Sequence, residues 1–532
     1  VPSPQDVPEG TPTPSVPCDS PKGLLEGQTL TVDGKTRTYL LHVPASYDCT
    51  KPAPLLVDFH AFTGAKEAEK VYLFDEAVAF AEREGVLLLR PRGLPRPSGS
   101  GAGAMTWDVA EEHTAFVDAL LAKVESAYAV DPQRRYALGF SNGTYMAMRV
   151  LLGNDTRFKG VAVIGGAFRD SSASKVPATS AMRVYASAGY RDPNRLSGFG
   201  SLIAEVPAEL FFLRETPAGH VFRPFHIEEA WAFLDRGERP SAGSPSAGWS
   251  SGVSLPMSVI GIARMSSGWL AYGEGGRFAA VDEDGATTLL AQTKLSWDPI
   301  GACRLADGKL LSIDGMSLWI STDVGATFKR STALPATSYP GSIECYANEV
   351  TVFGTPNVYR STDGGATFEA LDSLGDYSFV LGSTKTASGS SVVVGSYGYV
   401  ARRAKDGAFA PSAVEVSWPS LPLDVNAAAA GGDLVWAVGG GGTVLRSNDD
   451  GSTFAPVAVP TIEDLYTVSF RDAQVGAIGG SHGTVLVTRD GGQTWIAKPT
   501  GVDEYVGAFA WLSGGRLAAL GGKGTVLKTD VN

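Results

Sequence analysis

The chain has 532 residues, with 56 acidic against 44 basic side chains and a formal net charge of −12. That balance argues against a nucleic-acid or anionic-membrane partner, which requires cations in excess to neutralise phosphate. The length exceeds one ordinary core, and no apolar run approaches the ~18–20 residues of a membrane span. A multidomain chain with no membrane span is expected, and its 64 glycines and 17 tyrosines point to many turns and strands.

Residues 1–17 (VPSPQDVPEGTPTPSVP) are proline-rich and polar, cannot bury a core, and read as a flexible tail. No basic and apolar leader precedes them, so any signal has been removed or never existed, and the expectation is a mature secreted chain. Cys18 and Cys49 bracket the first hairpin, and four cysteines in all fit two disulfides in an exported protein, with free buried thiols as the alternative. Residues 29–43 alternate on either side of Asp33-Gly34, a hairpin signal. An apolar strand at 55–59 precedes His60-Ala61-Phe62. A helix over 71–84, a strand at 86–89 and an amphipathic helix over 111–128 follow, then short strands at 161–164, 183–185 and 210–213 and a last helix at 227–234. Strands alternating with helices predict a mostly parallel sheet covered on both faces, with the site at the carboxyl ends of the strands.

The stretch RYALGFSNGTYMAMRV organises this half. An apolar strand ends at Leu138 and a helix begins at Thr144, so Gly139 to Gly143 form a sharp GxSxG bend with Ser141 at its apex. Small residues on both sides give that turn room, and the helix N-terminus beyond it favours developing negative charge.

The string FVDALLAKVESAYAVDPQRRYALGFSNG resembles the serine-esterase family that includes polyhydroxybutyrate depolymerases and secreted feruloyl or acetylxylan esterases, over about residues 20–236. The resemblance implies the α/β-hydrolase fold and a triad in the order serine, acid, histidine. Only His220 and His226 follow the elbow within this half. His220 stands at the family's Gly-His pair and is expected to be the base, whereas His226 is expected to cap or flank the last helix. Asp192, in Gly-Tyr-Arg-Asp-Pro, matches the family's acid, with Asp170 as rival. The oxyanion donors implied are the backbone N–H groups of Asn142 and Phe62. Here the chain departs from the family, carrying Ala61 where a glycine is usual. His60 is expected to brace that loop, while Phe62, Trp107 and Phe140 are candidate aromatic contacts for the substrate, with ordinary packing as the competing reading.

After about residue 239 helical periodicity gives way to a repeat of about 40 residues. STDVGATF, STDGGATF, SNDDGSTF and TRDGGQTW begin at Ser321, Ser361, Ser447 and Thr488 and are Asp-boxes; a second motif places Gly442, Gly483 and Gly524 at intervals of 41. The count predicts a seven-bladed all-β propeller over 239–532, after a hydrolase domain over 18–238. The last blade lacks an outer strand, and residues 249–256 are expected to close the ring. Cys303 and Cys345 occupy matching places in adjacent blades, where either a disulfide or two thiols fits. The repeats resemble noncatalytic Asp-box propellers and lack the arginine cluster and tyrosine nucleophile of sialidases.

The expected activity is therefore that of a secreted serine ester hydrolase working through an acyl-enzyme. The substrate would be a polyester (polyhydroxyalkanoate or aromatic) or a feruloyl or acetyl ester. No metal or cofactor is implied. The propeller would bind polymer, glycan or protein, or control substrate access. The alternative from another class is a binding propeller that carries a degenerate hydrolase module.

Overall fold

The computed structural model describes residues 16–64, 70, 74–97, 102–107, 110–167, 175–192, 199–240, 243–292, 298–335, 339–374, 379–405, 407–414, 424–431 and 434–531. Most of the tail, Asp170 and residues 71–73 of the expected first helix lie outside them. The chain divides into two compact units, which interleave in sequence. One comprises residues 1–187, 196–214 and 222–239, the other 188–195, 215–221 and 240–532.

The N-terminal unit is built on a mixed, mostly parallel sheet flanked by helices. Its strands are β1 (Gly23–Val32), β2 (Lys35–Val43), β3 (Ala53–Phe59), β4 (Leu87–Pro91), β5 (Val130–Phe140), β6 (Gly160–Ile164), β7 (Arg183–Gly189) and β8 (Phe211–Thr216), in spatial order β1-β2-β4-β3-β5-β6-β7-β8. The hairpin β1-β2 is antiparallel, and Asp33 (φ 50°) and Gly34 (φ 75°) both take positive φ at its turn, as a two-residue connection matching strand twist requires. β2 runs antiparallel to β4, and β4, β3, β5, β6 and β7 are mutually parallel. Helices α1 (Phe74–Glu84), α2 (Ala110–Ala127), α3 (Thr144–Leu152), α4 (Phe199–Glu205) and α5 (Pro224–Trp231) connect them. The parallel strands read as continuous apolar runs because both faces are covered: β4 and β6 are buried at every residue. Phe80 of α1 and Trp231 of α5 meet edge to face, 5.6 Å between ring centroids, within the core.

The second unit is an all-β propeller of seven sheets. Blades 1 to 4 and 6 are four-stranded antiparallel sheets whose first strands are Val259–Arg264, Gly301–Arg304, Tyr339–Tyr346, Val380–Lys385 and Leu465–Phe470. Blade 5 begins at Val425–Gly431 and carries an additional strand, Ala413–Val414, parallel to Thr453–Pro456. In blade 7, Ser250–Ser251 pairs with Val526–Asp530 as the fourth strand, so the start of this region completes the sheet formed by its end. The Asp-box turns are constructed alike. In the first, Asp323 accepts the Thr327 backbone N–H at 2.8 Å and the hydroxyls of Thr327 and Ser321 at 2.6 and 2.7 Å, and Gly325 takes φ 89°. Asp363, Asp449 and Asp490 repeat the arrangement. Disulfides join Cys18 to Cys49 and Cys303 to Cys345, the second linking the first strands of blades 2 and 3.

Candidate active site

Ser141 follows β5 directly and holds φ 51°, a left-handed conformation that costs a non-glycine residue energy and persists only where surrounding packing imposes it. The packing is identifiable. A Cβ on Gly139 would overlap the carbonyl of Gly143, and one on Gly143 would overlap the carbonyl of Phe59 at the end of β3. The elbow therefore lies directly against the neighbouring strand, and only glycine permits that approach. The Thr144 hydroxyl then bonds the Ser141 carbonyl at 2.7 Å as α3 begins.

Asn142 contributes more than a backbone N–H. Its side-chain oxygen accepts the Trp107 backbone N–H at 2.8 Å and the Thr106 hydroxyl at 3.2 Å, which ties the elbow to the short strand Met105–Thr106. That strand bridges Thr63, with Met105 N–H donating to the Thr63 carbonyl at 2.8 Å. The three segments around the expected oxyanion site are thus one hydrogen-bonded assembly. Nothing local to the motif signals it, because the bonds run from an asparagine side chain to groups far away in the chain.

Trp107 is fully buried, and its indole N–H donates to the His60 carbonyl at 2.8 Å. In this position it braces the loop, the packing role that was the competing reading for this side chain. Phe140 is likewise buried and stacks on Phe222 at 5.3 Å; a residue leading into the elbow points into the core. Phe62 differs, being 36% exposed with the Arg96 guanidinium 5.1 Å from its ring. His60 has the bracing role anticipated. Its Nδ1–H donates to the Ala61 carbonyl at 2.6 Å and its Nε2 accepts the Gly93 N–H at 2.9 Å. Burial pushes its imidazole down to about 4, so it stays neutral.

Asp192 and His220 both belong to the second unit. They sit three and four residues beyond the carboxyl ends of β7 and β8, and backbone bonds zip their two loops together: Tyr190 N–H to the Thr216 carbonyl at 2.8 Å, Arg191 N–H to the Ala218 carbonyl at 3.0 Å. Gly189 permits this closeness, since a Cβ there would overlap the Ala218 and Gly219 carbonyls. The Asp192 carboxylate, fully shielded from solvent, meets His220 Nδ1 at 2.8 Å. The imidazole is itself largely buried, with 17% of its side chain exposed. Burial opposes its charge, but Asp192 and, after it, Asp424 favour the charged form, and the pKa is held above the ordinary value. A histidine bonded through Nδ1 to a shielded carboxylate keeps Nε2 as the atom able to exchange a proton. His226 instead accepts the Arg223 backbone N–H at 2.9 Å through its own Nδ1, capping α5.

No protein-family profile matches the chain. Its N-terminal region is distantly similar to esterases. A protein named for esterase activity, NocK of Nocardia uniformis subsp. tsuyamanensis, is 31% identical over 182 residues, which is 33% of this chain and 52% of that protein. Feruloyl esterase C of Emericella nidulans is 29% identical over 135 residues, 24% of this chain and 46% of its own length. Feruloyl esterase D of Neurospora crassa is 28% identical over 167 residues, 29% and 54%. The chain thus spans about half the length of these curated relatives. Among solved structures, YCF48 bound to D1 peptide has a TM-score of 0.45 at 18% identity, covering 56% of this chain and 100% of that one. Virginiamycin B lyase from Staphylococcus aureus has a TM-score of 0.45 at 12% identity, covering 53% and 98%.

Among the described residues no group of His, Cys, Asp and Glu has the arrangement of a metal site, and no helix is long and apolar enough to cross a membrane.

Proposed function

We propose that the protein is a secreted serine carboxylic-ester hydrolase that uses Ser141, His220 and Asp192. The observation that carries this reading is the strained serine, held at φ 51° in a turn that only flanking glycines allow, in a chain that also bonds a histidine to a shielded aspartate. The distant similarity to esterases supports the same reaction class, and the two disulfides fit an oxidising compartment outside the cytoplasm.

In the proposed reaction His220 Nε2 removes the Ser141 proton as Oγ attacks the ester carbonyl. The tetrahedral oxyanion forms against the N–H groups of Asn142 and Phe62, which compensate its charge. His220 then passes the proton to the departing alcohol. Water, deprotonated by the same imidazole, attacks the acyl-enzyme and releases the acid, while Asp192 fixes the ring and offsets its positive charge in both half-reactions. Phe62, with its exposed ring beside the oxyanion loop, would contact the acyl group. Aromatic or short aliphatic acyl groups, including those of polyesters and feruloyl esters, are the proposed substrates.

The test is hydrolysis of p-nitrophenyl butyrate. Ser141→Ala, which removes only an oxygen, should lower kcat/KM by about 10³-fold or more without changing the unfolding temperature. Equal turnover by the two proteins, or inertness of both across a panel of short esters, would favour a noncatalytic chain.

A further inference from the structure

Asp424 directly precedes the first strand of blade 5 and belongs to the same unit as the loops of Asp192 and His220. The residue is buried, with 6% of its surface exposed. One carboxylate oxygen accepts the Tyr397 backbone N–H at 3.0 Å, and the Asp424 carbonyl accepts the Gly440 N–H at 3.0 Å. The other carboxylate oxygen lies 3.2 Å from the place a Cβ on Gly219 would occupy, with a Leu381 methyl at 3.1 Å from the same point. The residue before His220 is therefore pressed against this carboxylate and the start of blade 4. Arg191, the neighbour of Asp192, is anchored in the same place: its guanidinium donates to the carbonyls of Leu381 and, at 2.9 Å, Asn426.

The acid and base loops are thus seated on blades 4 and 5 around a carboxylate that neither loop supplies. Among the described residues, Asp192 bonds the imidazole at Nδ1 and Asp424 lies across Gly219 from it, the Tyr397 phenol feels both carboxylates, and the Arg191 guanidinium turns to backbone carbonyls. Tyr397 is pushed up by burial and then by Asp424 and Asp192, so it stays neutral. After burial and Asp192, Asp424 is a further influence on His220, and it favours the charged form.

We infer that Asp424 is a positioning residue for His220: a carboxylate supplied by the propeller that, together with the Arg191 anchor, fixes the base loop and steadies the protonated imidazole. The propeller then forms part of the proton-transfer apparatus as well as any surface it offers to a substrate. The catalytic meaning of this inference rests on the serine-esterase reading; its physical content does not.

The experiment is an NMR titration of the histidine Cε1–H signals in the full-length chain, with His220→Gln assigning the resonance of interest. Asp424→Asn keeps the shape and removes the charge. It should lower the His220 midpoint by about 0.5 pH unit or more while His42 and His482 titrate as before, and Asp424→Glu should retain most of the wild-type midpoint. The acid limb of kcat/KM for p-nitrophenyl butyrate should move to lower pH by the same amount. An unchanged His220 midpoint in folded Asp424→Asn overturns the inference. If Asp424→Asn does not fold, a His220 midpoint in Asp424→Glu as low as that of an ordinary exposed imidazole overturns it equally. Absence of Ser141-dependent hydrolysis in the wild type, alongside the expected NMR shift, would count against the esterase reading alone.

Discussion

Gly143 carries a severe constraint at the residue scale, because its α-carbon faces the Phe59 carbonyl with no space for a methyl group. Gly143→Ala should displace the elbow, and an error of about 1 Å in a nucleophile costs about 10²-fold in rate; esterase assays and thermal unfolding should both register the change. The pH dependence follows from His220. The base must be neutral to accept the serine proton, and the folded chain holds its pKa above the ordinary ~6.5. The kcat/KM profile should therefore rise with pH through a midpoint above that value, whereas a midpoint below it would mean that burial prevails over Asp192. The serine bend and its flanking glycines were legible because the motif is contiguous and its steric demand is local. Trp107 and Phe140 were not, since an aromatic in a glycine-rich loop and an aromatic beside a nucleophile look alike whether they face solvent or core. The hydrogen bonds of Trp107 to Asn142 and His60 hold it in the packed position, and they join residues remote in sequence.

The propeller elements are stabilised by wedges between blades and by carboxylate-capped turns. Trp436 of blade 5 is fully buried and meets Trp495, beyond the third strand of blade 6, edge to face at 5.6 Å. Trp436→Ala should cost about 3–5 kcal/mol, seen as an earlier propeller transition in calorimetry. Glu344, in the first strand of blade 3, is pushed up to about 7 by burial of its carboxyl. The fold thus favours its neutral form, so the penalty is absent below the unfolded pKa of ~4.3, grows as pH rises towards 7 and is constant above. Glu344→Gln should raise the unfolding temperature by about 2 °C or more at pH 8 and leave it unchanged at pH 4. The Asp-boxes could be read from sequence because each is complete within eight residues, and their regular spacing revealed the blades. The start of β1 was hidden by an irregular register between Leu25 and Gln28 that breaks the alternation. The added strand of blade 5 was hidden because two residues, Ala413–Val414, cannot display a period.

For the whole molecule, the composition shift near residue 239 marks where propeller repeats begin, yet the compact units do not divide there. Residues 188–195 and 215–221 group with the propeller, a pairing set by tertiary contacts such as Arg191 to Leu381 and Asn426. A chain ending at residue 238 should therefore lose esterase activity about 100-fold or more even where circular dichroism shows its sheet retained, because the loops of Asp192 and His220 would lack their supports. Full activity in that truncated chain would restrict the propeller to binding. The most direct test of the central claim is covalent labelling of the full-length protein with a fluorophosphonate, followed by peptide mass spectrometry. One adduct is expected, on Ser141, strongly slowed in His220→Gln and absent in Ser141→Ala. A folded wild-type chain that remains unlabelled, or that is labelled on a different residue, would contradict it.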